Sequence, residues 1–378
     1  MHLTVAAALI VDPQGRVLCV RRGASRFAST AHKWEFPGGK LEPGETSAQA
    51  AVREVREELG LEIEALGDAP VAEHDYPEFS IALHGVLCAP RDPSAVPVLR
   101  EHEAMDWCSP DALWKHDFAE ADMPLLLWLK ERAFGAALRT ETFGRYPVFL
   151  DACASTNDEL LRRAEAGAPE GTLVVAERQS AGRGRLGRSW LAEPGQGLLF
   201  SLLTRPALPP EVAATVPLVA GLAVAQTLRG LGFEAGLKWP NDVLLGDRKA
   251  CGILCEAQTS AQGIEGIVVG VGLNVASVPE AVSWRAAGLG AGLDRLDLLA
   301  RLCAAFEALY GRWRRGGLAV LRPELDALDA KRGKPILVRL GAAPREGIAR
   351  GIREDGALLL ETPEGMEPLL CGEIVQWD

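Results

Sequence analysis

Histidine is scarce and one-sided: His2, His32, His74, His84, His102 and His116 all precede residue 117. The longer part of the chain therefore has no imidazole, and any catalysis there must run without one. The eight cysteines contain no C-x-x-C pair. Cys251 and Cys255 stand four apart with no histidine nearby, which argues against a zinc site and for reduced, buried thiols. No stretch approaches a membrane span, since the longest apolar runs, such as LVAGLAVAQTL, are short and end in polar residues. The opening MHLTVAAALIVDPQGR lacks a basic n-region and a cleavage site and reads as a strand and turn. These absences point to the cytoplasm. No internal repeat or low-complexity tract is visible. A formal net charge of −11 argues against a general nucleic-acid binder, while leaving room for a local basic patch.

With 378 residues, 48% of them hydrophobic and 24% charged, the composition is that of a soluble globular protein of two or three domains. The helical DMPLLLWLKERAFGAAL gives way to RTETFGRYPVFL, where a new strand begins. This predicts a first domain over 1–134 and an exposed linker over 135–145. A second shift near Lys331 separates a domain over 146–330 from residues 331–378. There KPILVRL, REGIARGI, GALLLET and LLCGEIVQW are short strand-like runs between Gly and Pro turns, the pattern of a small β-barrel.

Two segments carry chemistry. In GKLEPGETSAQAAVREVREELGL (39–61), Thr46 and Gln49 form a capping box, a run of helix formers follows, and Gly60 ends it. Glu54, Glu57 and Glu58 occupy i, i+3 and i+4, so three carboxylates share one face. Such like charges repel unless compensated; either the face is simply solvated, or a divalent cation such as Mg²⁺ binds there with substrate phosphates. The second segment, QSAGRGRLGRSW (Gln179–Trp190), is a strongly cationic glycine-rich loop between the strand-like GTLVVAERQ and GLLFSLLTRP. Glycine allows close backbone approach and guanidinium forks match phosphate oxygens, so the loop suits a phosphate or acyl-phosphate. An RNA-binding Arg-Gly patch usually repeats, and this one does not. Around it, ASTND sets hydroxyl and amide groups at a helix start, KWPNDVLLGDRKACGIL carries Lys238, Asn241, Asp242 and Lys249, and GVGLNV carries Gly270, Gly272 and Asn274.

The spacing of Gly39, Glu45 and REVREELGL reproduces the fixed positions of the Nudix box, and with KWEFPGGKLEPGE and FAEADMPLL the resemblance covers residues 1 to 133. It implies a nucleoside-triphosphate diphosphatase, of the kind that clears oxidised dGTP. Glu54, Glu57 and Glu58 would bind Mg²⁺ with help from the Gly39 carbonyl, with Glu57 and Glu58 catalytic. Glu45 and Arg53 would hold the loop to the helix, Asp122 would read the base, and Glu101 is the candidate for a further carboxylate.

From Tyr146 onward the set S-T-N, G-R-G-R-x-G-R-x-W, K-W-P-N-D and D-R-K-x-x-G-I-L resembles the biotin protein ligases. The related lipoate ligases carry a different glycine loop with a nearby His. By that resemblance Ser155, Thr156, Asn157 and Gln179 contact biotin. Gly182, Arg183, Gly184, Arg185 and Arg188 line the phosphate side of biotinyl-5′-AMP, with Gly252 beside them. Lys249 and Arg185 are catalytic, Lys249 on the reacting carboxylate and phosphate. Asn241, Asp242 and Asn274 face ATP, and Trp190 packs the folded loop. The implied fold is α/β and α+β multidomain: a Nudix α/β/α sandwich, then an α+β ligase domain with an SH3-like C-terminal barrel. The implied partners are a biotin carboxyl carrier protein, through its acceptor lysine, and nucleoside triphosphates. No DNA-reading helix-turn-helix pattern is visible, so no repressor role is expected, and no membrane is implied. The rival readings are a nucleotide-sensing Nudix module without catalysis and an RNA-binding cationic loop, whose affinity would depend strongly on salt.

Overall fold

The last five residues of the first strand, β1 (His2–Ile10), are buried on both faces, as they must be when a sheet is covered on each side. The computed structural model describes residues 1–25, 27–261, 263–340 and 343–377, in two compact units, 1–136 and 137–378. The first unit continues with β2 (Val17–Arg21), β3 (Trp34–Glu35), β4 (Gly38–Lys40), α1 (Ser47–Leu59), β5 (Ile63–Asp75), β6 (Ser80–Pro90), β7 (Ala104–Cys108) and α2 (Met123–Ala137). One sheet runs β4-β1-β6-β5 and a second β3-β2-β7. Successive β1 side chains part company, as a period of two requires: Ala6, Ala8 and Ile10 pack with Ala51, Val55 and Leu59 of α1, while Ala7 and Leu9 pack with Leu125 and Leu129 of α2.

The second unit comprises β8 (Tyr146–Cys153), α3 (Thr156–Glu165), β9 (Thr172–Gln179), β10 (Gly197–Thr204), α4 (Pro210–Ala213), α5 (Val216–Gly230), β11 (Ala235–Lys238), β12 (Asp242–Leu245), β13 (Arg248–Ser260), β14 (Gly263–Asn274), α6 (Arg295–Gly316) and α7 (Arg322–Leu328). These strands form one mixed sheet, β11-β12-β13-β14-β10-β9-β8, in which only β8 and β9 pair in parallel. The chain then adds β15 (Pro335–Leu340), β16 (Ala343–Ile352), β17 (Leu358–Thr362), β18 (Gly365–Leu369) and β19 (Glu373–Trp377), an antiparallel sheet ordered β18-β17-β16-β15-β19.

Three expectations change. Pro210–Gly230 is long and apolar enough, by length and composition, to cross a membrane. It is nonetheless mostly buried within the protein, with α5 packed on α6 and on β11 and β13, which is where a helix apolar on all sides belongs. The expected exposed linker is in part packed: Thr140 and Phe143 are buried, while Arg139, Glu141 and Arg145 are exposed. Phe143 meets Phe306 and Tyr310 edge-on at 5.0 and 5.1 Å. The Glu307 carboxylate accepts from the backbone N–H groups of Glu141, Thr142 and Phe143 at 2.8, 2.7 and 2.9 Å. These residues are tied to α6 because α6 leaves an aromatic face that Phe143 covers. Finally, the cysteines are free thiols as expected, but Cys371 is exposed and Cys153 and Cys255 are only partly covered.

Candidate active sites

In the first unit α1 starts where its capping box dictates. Thr46 Oγ1 accepts from Gln49 N at 3.2 Å, Gln49 Oε1 accepts from Thr46 N at 2.9 Å, and Gly60 closes the helix at φ 59. Arg53 staples the preceding loop to this helix. It donates to both Glu45 oxygens at 2.9 and 2.8 Å, to Lys40 O at 3.0 Å and to Glu54 Oε1 at 2.8 Å. The same guanidinium holds the Glu45 carboxyl down at about 2. A Cβ at Gly39 would overlap the Glu54 carboxylate, which would have to swing away. Gly39 and Glu54 are neighbours, and Glu57 is more exposed, its Oε2 3.6 Å from Arg53.

Glu58 is the chemically tense member. It is buried, and its Oε2 has no hydrogen-bond partner. Burial, helped by the negative charge of Glu54, Glu35 and Glu101 and opposed by His102, pushes its pKa up to about 7. A buried carboxylate oxygen without a partner, among other carboxylates, is a position that a hard divalent cation satisfies. Glu101 therefore stands within the field of Glu58. Sequence reasoning passed over Glu35, Arg22 and His102. Arg22 grips Glu35 with bonds of 2.9 and 2.7 Å, and His102 Nε2 lies 3.4 Å from Glu35 Oε1. The available signal was the glutamate between the aromatics of KWEFPGG. Asp122 is buried at the start of α2, its Oδ1 accepting from Phe36 N at 3.0 Å. Burial raises its pKa well above the ordinary value.

In the second unit one pocket is lined by Ser155, Thr156, Asn157, Gln179, Arg183, Gly184, Arg185, Trp190, Asn241, Lys249, Gly252 and Gly270 among others. Its floor is hydrogen-bonded from several elements. Gln179 Oε1, at the end of β9, caps α3 by accepting from Thr156 N at 2.7 Å. Ser201 Oγ, fully buried on β10, donates to Asn157 Oδ1 at 2.6 Å and lies 2.8 Å from the Thr156 hydroxyl, which can donate to it. Asn157 Nδ2 donates to Glu256 Oε2 at 2.6 Å. A Cβ on Gly270 would overlap the Asn157 amide, and one on Gly272 would lie 2.5 Å from the Trp190 ring; bare backbone makes this wall.

The cationic loop folds back on itself. Gly184 N donates to Arg188 O at 2.7 Å and Trp190 N to Gly182 O at 2.9 Å. Arg185 reaches Asn241 Oδ1 at 3.1 Å, and Asn241 is pinned by Ile253 on both sides, at 2.7 and 2.9 Å. Arg183 pairs with Asp158 and with Glu256 Oε2, the latter at 2.9 Å. Lys249 Nζ lies 2.6 Å from Asp242 Oδ1 and 5.5 Å from the centre of the Trp190 ring. Burial lowers the pKa of neighbouring Lys238.

Four expected site residues stand off the pocket wall. Arg188 binds Glu373 of β19, with one bond at 2.6 Å. Gly182 packs against the loop backbone, where a Cβ would lie 2.8 Å from Trp190 O. Asp242 pairs with Lys249 at 2.6 Å. Asn274 donates weakly to Lys249 O at 3.4 Å. Ser201 and Glu256 were missed; the lone serine in the apolar GLLFSLLT was the visible signal.

The chain matches the family model of the NUDIX domain over residues 1–129, of the biotin/lipoate A/B protein ligase family over 150–274, and of the biotin protein ligase C-terminal domain over 332–377. It is 31% identical over 293 residues to the bifunctional ligase/repressor BirA of Bacillus spizizenii, covering 71% of this chain and 90% of that protein. Its N-terminal part is 38% identical over 126 residues to the CTP pyrophosphohydrolase of Escherichia coli, covering 33% of this chain and 90% of that one. Among solved structures, the biotin protein ligase of Aquifex aeolicus in complex with biotin and ATP aligns at TM-score 0.55 and 30% identity, over 61% of this chain and 98% of that chain. Fold and sites thus define a ligase of mixed α/β architecture that carries a separate hydrolase-type unit. The chain belongs to the biotin protein ligase family and bears an N-terminal NUDIX domain.

Proposed function

We propose that the protein attaches biotin to a lysine of a biotin carboxyl carrier protein through biotinyl-5′-AMP, and that its N-terminal unit hydrolyses nucleoside triphosphates, oxidised dGTP and CTP being the first to test. The observation that carries the ligase reading is the single pocket where Ser155, Thr156, Asn157 and Gln179 meet Arg183, Arg185 and Lys249. Polar groups at one end suit the biotin head group, and cations at the other suit a phosphate. In the first half-reaction a biotin carboxylate oxygen attacks the α-phosphorus of ATP, and the bond to pyrophosphate breaks with its electrons. Lys249, held by Asp242, stabilises the charge that builds on carboxylate and phosphate. Arg185, anchored on Asn241, keeps the cationic loop over the adenylate. In the second half-reaction the acceptor amine attacks the biotinyl carbonyl, AMP leaves, and the amine proton passes to solvent. Asn241, on the pocket wall, would face the nucleotide, with Asp242 and Asn274 behind it supporting Lys249.

In the N-terminal unit Glu54, Glu57, Glu58 and the Gly39 carbonyl would hold Mg²⁺, which supplies Lewis-acid stabilisation of polyphosphate charge. Arg53 and Glu45 hold the loop so that these oxygens converge. Asp122, buried with its carboxyl pKa raised and its Oδ1 accepting from Phe36 N, would read the base. The domains follow as a Nudix sandwich over 1–134, the catalytic ligase domain over 146–330 and an SH3-like barrel over 331–378, in a cytoplasmic protein whose thiols are reduced. No repressor role is part of this reading, in which β5, β6 and β7 stand between α1 and α2 of the N-terminal unit. The test is biotin-dependent exchange of pyrophosphate into ATP, run beside a panel of nucleotides assayed for Mg²⁺-dependent hydrolysis. Absence of exchange overturns the ligase reading, and absence of hydrolysis across the panel overturns the other.

A further inference from the structure

Away from the α1 carboxylates, Cys19, Cys108 and His116 bring one ligand atom each to within 4.8 Å of one another. The chain separates the two cysteines by 89 residues, and the fold reunites them. In the register of β2 and β7, Cys19 lies opposite Asp106 and Val17 opposite Cys108. Residues 19, 106 and 108 therefore present their side chains on one face of this small sheet. His116 follows the short helical turn Ala112–Lys115. Its ring stacks on Trp34 with centroids 3.7 Å apart, and Trp34 N donates to Asp117 O at 2.9 Å, so the turn and the imidazole are fixed over the two thiols.

The distances match a tetrahedral soft-metal centre. Metal–sulfur bonds of about 2.3 Å and metal–nitrogen bonds of about 2.0–2.1 Å give tetrahedral edges of about 3.8 Å between sulfurs and about 3.6 Å between sulfur and nitrogen. Here Cys19 Sγ and Cys108 Sγ are 4.0 Å apart, and Cys108 Sγ and His116 Nε2 are 3.5 Å apart. Asp106 Oδ2 lies 3.0 Å from the same Nε2. Lys115 Nζ sits 2.6 Å from that carboxylate. Two thiolates balance the charge of a dication, and the Asp106 carboxylate is balanced by Lys115.

We propose that Cys19, Cys108 and His116 bind one Zn²⁺ that clips β2 and β7 to the turn at 112–117. Thiolate and imidazole select Zn²⁺ over Mg²⁺, so this centre is distinct from the oxygen-only face of α1. Binding displaces the hydrogen bonds now made within the cluster, and the two thiol protons pass to solvent as the thiolates coordinate. Both cysteines are buried and the imidazole is mostly covered, as a closed structural site requires.

The test uses the full chain, reduced with a phosphine, stripped with EDTA and titrated with Co²⁺. The expected result is cobalt–thiolate charge-transfer absorption with intense visible bands, saturating near about one equivalent, reversed by Zn²⁺ and untouched by excess Mg²⁺. Cys108→Ser and His116→Asn should each weaken Co²⁺ binding by at least ~tenfold. Because a buried Cys→Ser change can unfold the unit, the wild-type titration decides the matter alone: no cobalt–thiolate absorption with all thiols reduced overturns the proposal. Absorption undiminished in folded His116→Asn also overturns it, by placing the metal on other thiols.

Discussion

Arg185 donates to Asn241 Oδ1 across 3.1 Å, a bond that ties the middle of the cationic loop to the K-W-P-N-D turn. Arg183, paired with Asp158 and Glu256, and Arg188, paired with Glu373, hold the two flanks of the loop, while Leu186 beside Arg185 holds a positive φ of 57. Arg185→Gly removes the tie and adds backbone freedom, which favours the open loop. Lys249 and the pocket floor remain, so adenylate still forms, more slowly, and escapes. Incubation with ATP, biotin and an unrelated lysine-rich protein should then label the bystander well above wild type on a biotin blot. Labelling no higher than wild type, with adenylate synthesis confirmed, would show that Arg185 does not retain the intermediate.

Gly270→Ala tests the floor of the same pocket. The new methyl group would overlap the Asn157 amide, which Ser201 and Glu256 hold at 2.6 Å each. The amide cannot yield without breaking both bonds, so overpacking of about 1–3 kcal/mol falls on the biotin site. Calorimetry should show biotin affinity weakened by roughly 5- to 150-fold, by the usual conversion of that energy, while nucleotide hydrolysis by the first unit is unchanged.

Glu57→Gln removes one carboxylate from α1 while keeping its shape. Hydrolysis of the preferred nucleotide should fall by a few powers of ten, on the order of 3–4 kcal/mol in barrier, and biotinylation should persist. Equal hydrolysis by mutant and wild type would remove Glu57 from the metal set.

Asp122 provides a pH test. Its pKa is raised in the folded state by burial, so the native protein holds this proton at pH values where the unfolded chain has lost it. Stability from this group is greatest below the unfolded value, about 3.9, and declines as pH rises toward the folded one. Asp122→Asn removes the titration. Relative to wild type the mutant should gain stability as pH climbs above about 4, read by hydrogen exchange in β1 and α2. A difference that stays flat with pH contradicts a buried, proton-holding Asp122.

Phe143→Ala should destabilise the second unit by about 3–5 kcal/mol, the usual cost of emptying a buried phenylalanine site, because Phe306 and Tyr310 lose their edge-on partner. Denaturant unfolding followed by biotinylation activity reads this directly. A ligase fragment beginning at Thr140 keeps that aromatic contact and should be active, whereas one beginning at Tyr146 loses it and should be markedly less stable.

By itself the sequence determined the elements whose information is local. The capping box of Thr46 and Gln49, the Gly60 stop, the i, i+3, i+4 glutamates and the glycines of the cationic loop depend on neighbours within a few residues, and periodicity and turn chemistry report those directly. The two families were legible for the same reason, since their motifs are short and contiguous. Tertiary structure alone decided the rest. Burial, invisible in a string of letters, sets Glu58 near pH 7 and covers the stretch 210–230 that composition would allow in a membrane. Phe143 read as linker because its partners, Phe306 and Tyr310, come from a helix more than a hundred residues on. Arg188 read as a phosphate ligand, but Glu373 of the last strand takes its guanidinium. The Cys19, Cys108 and His116 cluster has no sequence signature, because strand pairing, rather than spacing along the chain, sets the distance between its ligands.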